Sequence, residues 1–116
     1  MKFSSESRDG ITIERVHLTR ATYNYAEEFK RILNKDIADN KLNIIVSLSG
    51  CKYMDSTFLG TLVSTSKTLQ NKGGSLKISN LHSETLVLFK ITGMMRIFNI
   101  YKNVDEAVAS YKNLVD

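Results

Sequence analysis

Hydrophobic and polar positions follow two different periods along this chain, and the periods predict strands that alternate with helices. The clearest signal is a nearly unbroken apolar run from Leu42 to Leu48, rich in β-branched residues. Such a run is typical of a strand that is buried on both faces of a parallel sheet. Apolar residues at helical spacing follow over residues 56–70, so we expect this strand and helix to form the centre of the fold.

The start of the chain predicts a β-hairpin. Residues 2–8 suit a short polar edge strand, Asp9-Gly10 is a hairpin turn signal, and residues 11–18 provide the second strand. The apolar residues of this second strand change phase along it, and they are Ile11, Ile13, Val16 and Leu18. The change predicts either a bulge or a strand that is covered on both sides.

A helix is predicted from Tyr23 to Ala38, with Thr22 as its N-terminal cap. Its apolar side chains recur at three- and four-residue spacing and make one stripe, which comprises Tyr25, Ala26, Phe29, Ile32, Leu33 and Ile37. Charged residues occupy the other face. The stripe therefore indicates a helix that packs on the core rather than a ligand-binding surface.

The second half of the chain continues the alternation. The predicted elements are a strand at 75–80, a helix at 84–91 capped by Ser83, a strand at 96–101, and a last helix beginning at Asn103. Glu106 stands three residues after Asn103, as in a capping box. The inner face of the last helix is predicted to contain Val104, Ala107, Val108, Tyr111, Leu114 and Val115. The order β-β-α-β-α-β-α-β-α predicts an α/β fold: a mixed, mostly parallel sheet of four to five strands with about four helices packed against it.

Length and composition narrow the class of protein. The 116 residues are expected to form one domain, 1–116, and the net charge of +4 comes from scattered basic residues rather than from a nucleic-acid-binding patch. Cys51 is the only cysteine, which favours a reducing compartment and an inert thiol over a disulfide or a nucleophile. Because no signal peptide or membrane-length apolar run is present, a soluble cytoplasmic protein is expected.

The candidate chemistry lies where the central helix begins. Asp55 is a good N-cap, and it places the Ser56 hydroxyl near solvent at the positive end of the helix. Ser56, Gly60 and Ser64 are four residues apart, so they stack on one face as a strip of small residues, with Thr61 beside them. Glycine is unfavourable inside a helix, so Gly60 indicates either the close approach of a partner or tight internal packing.

The segment Met54-Asp55-Ser56-Thr57-Phe58-Leu59-Gly60 resembles the D-S-[ST]-x-L-G signature of anti-sigma factor antagonists, which are single STAS domains. The resemblance implies a STAS-like fold and a phosphorylation site for a partner serine kinase at Ser56. It further implies that the unmodified form binds an anti-sigma factor with kinase activity and frees a sigma factor, whereas phosphorylation blocks binding. The partner-binding residues expected on this basis are Asp55, Ser56, Thr57, Gly60, Ser64, Thr22 and Asn24.

Two departures from the family pattern affect the partner surface. Members often carry Gly-x-x-Asp before the first helix, where this chain has Thr19-Arg20-Ala21-Thr22. An acidic contact is thereby lost and a basic residue, Arg20, is gained. Phe58 also stands where a glycine is frequent in the family. These differences leave open which partner is bound, and they keep a scaffold role in a stress-signalling assembly as an alternative.

Other classes of function fit the residues less well. A serine hydrolase would need a base near Ser56, but His17 and His82 are the only histidines and no Gly-x-Ser-x-Gly elbow occurs. A phospho-accepting receiver domain would need acidic magnesium ligands after the early strands, which the chain lacks. No phosphate-binding loop or metal-ligand cluster is present, so neither a cofactor nor enzymatic activity is expected. An interaction module without phosphorylation remains the alternative.

Overall fold

The computed structural model describes residues 1–112. Its elements in chain order are β1 (Phe3–Arg8), β2 (Ile11–Val16), β3 (Arg20–Ala21), α1 (Tyr23–Ala38), β4 (Asn43–Ser47), β5 (Tyr53–Met54), α2 (Ser56–Asn71), β6 (Ser75–Ser79), α3 (Ser83–Ile91), a 3-10 turn (Met94–Arg96), β7 (Ile100–Tyr101) and α4 (Val104–Lys112). Leu114 and Val115, which were predicted for the inner face of the last helix, lie outside the described residues.

Five strands form one sheet in the order β1-β2-β4-β6-β7. Strand β2 runs antiparallel to β1 and parallel to β4, and the remaining neighbours are parallel. Asp9 and Gly10 join the hairpin with φ angles of 55° and 80°, as a tight turn between twisted strands requires. The predicted α/β fold with a mixed, mostly parallel sheet and four helices is therefore confirmed.

Both faces of the sheet are covered. On one face, buried residues of α1, α2 and α3, such as Phe29, Phe58 and Phe89, share a core with the sheet. On the other face α4 builds a second cluster, which consists of Ile11, Ile13, Ile45, Val104, Ala107, Val108 and Tyr111. The ladder between β1 and β2 runs without interruption, so the change of phase along β2 reflects a strand covered on both sides and not a bulge.

Three aromatic rings fix the position of α2 against α1. The Phe29 ring stacks on Phe3 with 4.9 Å between ring centroids and on Phe58 with 5.3 Å. Phe29 and Phe58 are fully buried. The phenylalanine that replaces the family's frequent glycine is thus an anchor of the core, since stacked aromatic pairs add to the burial of apolar area.

Of the three caps predicted for α1, α3 and α4, two are wrong and one is confirmed. Ser83 is the first residue of α3, and the cap is His82, whose Nδ1 accepts a hydrogen bond from the Glu84 N–H at 3.3 Å. The Thr22 side chain forms no capping hydrogen bond at the start of α1. Asn103 Oδ1 does accept from the Glu106 N–H at 2.8 Å, as predicted, while the Glu106 carboxylate accepts from the Lys102 N–H at 3.2 Å rather than from Asn103.

The strand predicted at 96–101 is shorter than expected. Only Ile100–Tyr101 pairs with the sheet, and the preceding residues form the 3-10 turn Met94–Arg96. Phe98 lies between them, is 2% exposed, and packs on Phe89 with 5.9 Å between ring centroids. Burying this ring against α3 bends the chain away from the sheet, a tertiary effect that overrides the local strand pattern.

Candidate partner-binding site at the start of helix α2

Asp55 caps two helices at once. Its Oδ1 accepts a hydrogen bond from the Phe58 N–H in the first turn of α2 at 2.9 Å, as predicted for an N-cap. Its Oδ2 accepts from the N–H of Tyr23, the first residue of α1, at 2.7 Å. The carboxylate therefore takes the capping role that Thr22 was expected to have. It also holds the two helix starts together.

A second parallel ladder, which the sequence did not predict, supports this junction. Strand β3 pairs with β5 so that Arg20 lies opposite Tyr53 and Ala21 opposite Met54. The Asp55 N–H then donates to the Ala21 carbonyl at 3.1 Å. Strands of two residues carry no detectable periodicity, so only the fold could show that these segments meet.

The hydroxyl residues at the start of α2 face solvent. Ser56 and Thr57 are both exposed, and Ser56 is the first residue of the helix. The helix N-terminus carries unpaired N–H groups and a partial positive charge, which favours anions. Ser56 is thus solvent-accessible at a helix N-terminus.

The strip of small residues on α2 is narrower than the sequence suggested. Gly60 and Ser64 are exposed in line with Ser56, but Thr61, which was expected beside them, is only 8% exposed. A Cβ atom added at Gly60 would meet nothing within 4 Å. Tight internal packing is therefore excluded as the reason for this glycine.

An open cavity of about 560 Å³ lies beside the junction of the two helices. Its lining residues come from the β3–β5 ladder and from the start of α1, and they are Leu18, Thr19, Arg20, Thr22, Tyr23, Asn24, Tyr25, Tyr53 and Asp55. Three predicted partner-binding residues, Thr22, Asn24 and Asp55, are thereby brought to one surface. Ser56, Thr57, Gly60 and Ser64 lie along the neighbouring helix.

Six residues of the cavity lining were not among the predicted site residues, and Arg20, Tyr23 and Tyr53 are three exposed ones among them. The Arg20 guanidinium carbon lies 4.2 Å from the centroid of the Tyr53 ring. Tyr23 and Tyr53 expose 67% and 45% of their area, although large aromatic side chains are more often buried. The position of Tyr23 at a predicted helix start could have marked it from the sequence as a candidate surface residue. The contact between Arg20 and Tyr53, in contrast, depends on the β3–β5 pairing.

The structure places the other candidate nucleophile and both histidines in structural roles. Cys51 is fully buried, and burial raises the pKa of its thiol, so little reactive thiolate forms. His17 pairs with Ser4 at 2.8 Å, and His82 caps α3. Within residues 1–112, neither histidine forms a hydrogen bond with Ser56, so the arrangement of a serine hydrolase is not assembled.

Across residues 1–112 no three side chains of histidine, cysteine, aspartate or glutamate gather as a metal-binding group. Over the same residues, the helices are too short or too polar for any of them to span a bilayer.

Comparison with known proteins agrees with this fold and motif. The profile of the STAS domain family matches residues 3–107, and the protein belongs to this family. Its curated relatives are named anti-sigma factor antagonists. The chain is 41% identical over 64 residues to the anti-sigma-B factor antagonist of Bacillus subtilis, which covers 55% of this chain and 59% of the relative. It therefore spans little more than half of that relative's length.

A second relative and a solved structure extend the comparison. The chain is 31% identical over 78 residues to the anti-sigma-B factor antagonist of Staphylococcus aureus, which covers 67% of this chain and 72% of the relative. The crystal structure of an anti-sigma factor antagonist from Mycobacterium paratuberculosis has a TM-score of 0.84 at 20% identity over 93% of this chain and 91% of that one. The resemblance inferred from the sequence is confirmed.

Proposed function

We propose that this protein is an anti-sigma factor antagonist that is switched by phosphorylation of Ser56. The unmodified form binds an anti-sigma factor with serine kinase activity and so frees a sigma factor. The phosphorylated form does not bind. The observation that carries this proposal is the exposed Ser56 hydroxyl at the start of α2, directly after an aspartate whose two carboxylate oxygens are already engaged.

Phosphorylation would change binding more than it changes the fold. A phosphate adds roughly −1.5 to −2 charges and three acceptor oxygens. The N-terminus of α2 attracts that charge, and the neighbouring Asp55 carboxylate repels it. Because the two effects oppose each other, the folded state is expected to tolerate the modification. A partner surface that covers Ser56 would have to desolvate the phosphate, so its affinity is expected to fall.

The relatives and the chemistry support a binding protein rather than an enzyme. Two relatives carry the name anti-sigma-B factor antagonist, and the candidate site holds no assembled nucleophile and base. We place the switch in one STAS domain comprising residues 1–116, and we expect it to act in the cytoplasm. The partner kinase would bind the nucleotide that supplies the phosphate.

A constitutive interaction module is the second candidate. Thr22 occupies the position where the family often has an aspartate, and Arg20 introduces a positive charge on the same surface. A changed contact surface could serve a scaffold that binds its partner whether or not Ser56 is modified. The response of binding to a change at Ser56 separates the two functions.

A pull-down from the native cytoplasm tests the switch. Wild type, Ser56→Ala and Ser56→Asp are compared by mass spectrometry. Ser83→Asp is the matched control, because Ser83 is also the exposed first residue of a helix. Wild type, Ser56→Ala and Ser83→Asp are expected to retain an ATP-binding anti-sigma factor that Ser56→Asp loses. Equal retention by all four variants would contradict the switch and leave the constitutive module.

The kinase activity of the partner needs a separate test. The captured anti-sigma factor is incubated with ATP and purified wild type, and the product is digested and analysed for phosphopeptides. Phosphate on the peptide that contains Ser56 is expected, with none in the Ser56→Ala variant. Phosphate on Thr57 alone would move the switch to the neighbouring hydroxyl.

A further inference from the structure

The stacked pair of Arg20 and Tyr53 is a feature that the proposed function does not explain. The two residues lie opposite each other in the β3–β5 ladder, and the guanidinium carbon lies 4.2 Å from the ring centroid. Arg20 is exposed, and none of the carboxylates in residues 1–112 forms an ion pair with it. We propose that Arg20, held on Tyr53, binds a carboxylate side chain of the anti-sigma factor. This inference rests on the proposed function.

The charges around the cavity favour an acidic group on the partner. Arg20 and Asp55 are the two charged residues in its lining. The Asp55 carboxylate is already bound by two backbone N–H groups, at 2.7 Å from Tyr23 and 2.9 Å from Phe58. Arg20 is therefore the charged side chain of this cavity that has no ion-pair partner within residues 1–112. A surface that buries the cavity has to compensate this charge, because an unpaired buried charge is costly.

Stacking prepares the guanidinium for this contact. The Tyr53 ring lies against the guanidinium and attracts its charge, while the N–H groups of Arg20 form no ion pair within residues 1–112. A carboxylate can accept two parallel hydrogen bonds from a guanidinium. Because the β3–β5 ladder fixes where both residues leave the backbone, less side-chain freedom is lost on binding.

A carboxylate fits the surroundings better than a phosphate. The Asp55 carboxylate lines the same cavity and repels a group of nearly two negative charges more strongly than a group of one. The exposed rings of Tyr23 and Tyr53 offer apolar contact area around the charge, as is typical of the centre of a protein interface. The occupant we assign is therefore an aspartate or glutamate side chain of the protein partner.

The anti-sigma factor is first purified after its capture by wild type. Calorimetry at two salt concentrations then measures its affinity for wild type and for each variant. Arg20→Glu is expected to weaken binding at least roughly tenfold, and Arg20→Lys less, because lysine keeps the charge but loses the stacked planar fork. Arg31→Glu is the matched control. Arg31 is exposed on α1, lies outside the cavity, and undergoes the same change of charge. It is expected to alter the affinity less than about threefold.

A charge swap identifies the partner residue. Acidic residues on the binding surface of the anti-sigma factor are changed one at a time to arginine, and each variant is measured against Arg20→Glu. One of them is expected to recover most of the lost affinity. Thermal unfolding of each antagonist variant shows that it is folded. Tyr53→Leu, which removes the stacking and keeps Arg20, is expected to weaken binding less than Arg20→Glu.

The outcomes distinguish this inference from the proposed function. If Arg20→Glu binds as well as Arg31→Glu while Ser56→Asp still loses the partner, the carboxylate contact is wrong and the switch stands. If Arg20→Glu loses affinity while Ser56→Asp binds like wild type, the contact stands and the phosphorylation switch is wrong. If wild type captures no anti-sigma factor, both fail.

Discussion

Helix α1 is held near its two ends by carboxyl groups in opposite environments. At the start of α1, the half-buried Asp55 accepts a hydrogen bond from the N–H of Tyr23, the first residue of this helix. Asp55 also accepts one from the Phe58 N–H of α2. Near its last turn, Asp36 is 7% exposed and lies beside Glu14 of β2, which is fully buried. One oxygen of each of these two buried groups, Glu14 Oε2 and Asp36 Oδ2, has no hydrogen-bond partner within residues 1–112.

The buried pair can satisfy both oxygens by sharing a proton. Burial and the neighbouring Asp36 raise the pKa of Glu14 to about 8, against smaller opposing effects of the Ser5 hydroxyl and the Lys41 charge. Ser5 already donates a hydrogen bond to Glu14 Oε1. A protonated Glu14 can donate from its other oxygen to Asp36, so that neither acceptor is left unpaired.

The difference between the two ends lies in the groups that satisfy the carboxyl oxygens. The Asp55 oxygens are satisfied by backbone N–H groups, whose positions are fixed by the two helix starts. A shared proton is lost when pH rises, so the Glu14–Asp36 pair links the stability of the fold to pH. The candidate site is thus organised by the end of α1 where backbone N–H groups hold the carboxylate.

The largest effect is expected from Glu14→Gln. The folded-state pKa of about 8 lies above the ordinary value of 4.5, so the folded protein binds the extra proton between these pH values. The contribution of Glu14 to the free energy of unfolding is fully present below pH 4.5. Between pH 4.5 and pH 8 it falls by up to about 1.4 kcal/mol per pH unit. Glu14→Gln is expected to remove this slope and to be more stable than wild type at pH 8.

Urea unfolding at several values between pH 5 and pH 8.5 measures this slope. Glu27→Gln serves as control, because Glu27 is exposed on the same helix that carries Asp36. An unchanged slope in Glu14→Gln would mean that the pair holds no shared proton. The comparison between the two ends of α1 would then fail.

Asp55→Ala is expected to cost roughly 1–3 kcal/mol of unfolding free energy, because two backbone N–H groups lose their acceptor. Asp55→Asn keeps one carbonyl oxygen and is expected to cost less. Denaturant unfolding of both variants measures the loss, and a loss below about 0.5 kcal/mol in Asp55→Ala would contradict the double cap.

Gly60→Ala separates stability from binding. An alanine Cβ meets no atom within 4 Å, and replacing a glycine inside a helix stabilises it by roughly 0.5–1 kcal/mol. If a partner lies closely on this strip, the same methyl group lowers its affinity. We expect a higher melting temperature together with weaker binding. A variant that is more stable and binds like wild type would remove Gly60 from the contact surface.

The smallest effect is expected from Thr22→Ala. Its hydroxyl forms no capping bond, so the free energy of unfolding should change by less than about 0.5 kcal/mol. Denaturant unfolding beside Asp55→Ala makes the comparison direct. A loss as large as that of Asp55→Ala would contradict this prediction and show that the Thr22 hydroxyl also stabilises the start of α1.

The sequence by itself determined the order of elements and the start of the site. The apolar run of β4 and the helical stripes have strong periodic signals, and the position of Asp55 before α2 predicts its capping bond to Phe58 correctly. The exposure of Ser56 also followed from its place in the first helical turn. These features depend on neighbours in sequence, which a local pattern can report.

Only the tertiary structure decided which distant groups meet. The second bond of Asp55 reaches Tyr23, 32 residues away, and the stacking of Arg20 on Tyr53 requires a ladder of two-residue strands. The pairing of Glu14 with Asp36 likewise depends on how α1 packs over β2. In each case the contact forms because the packed core brings separate segments together. Local sequence patterns cannot predict which distant residues meet in this way.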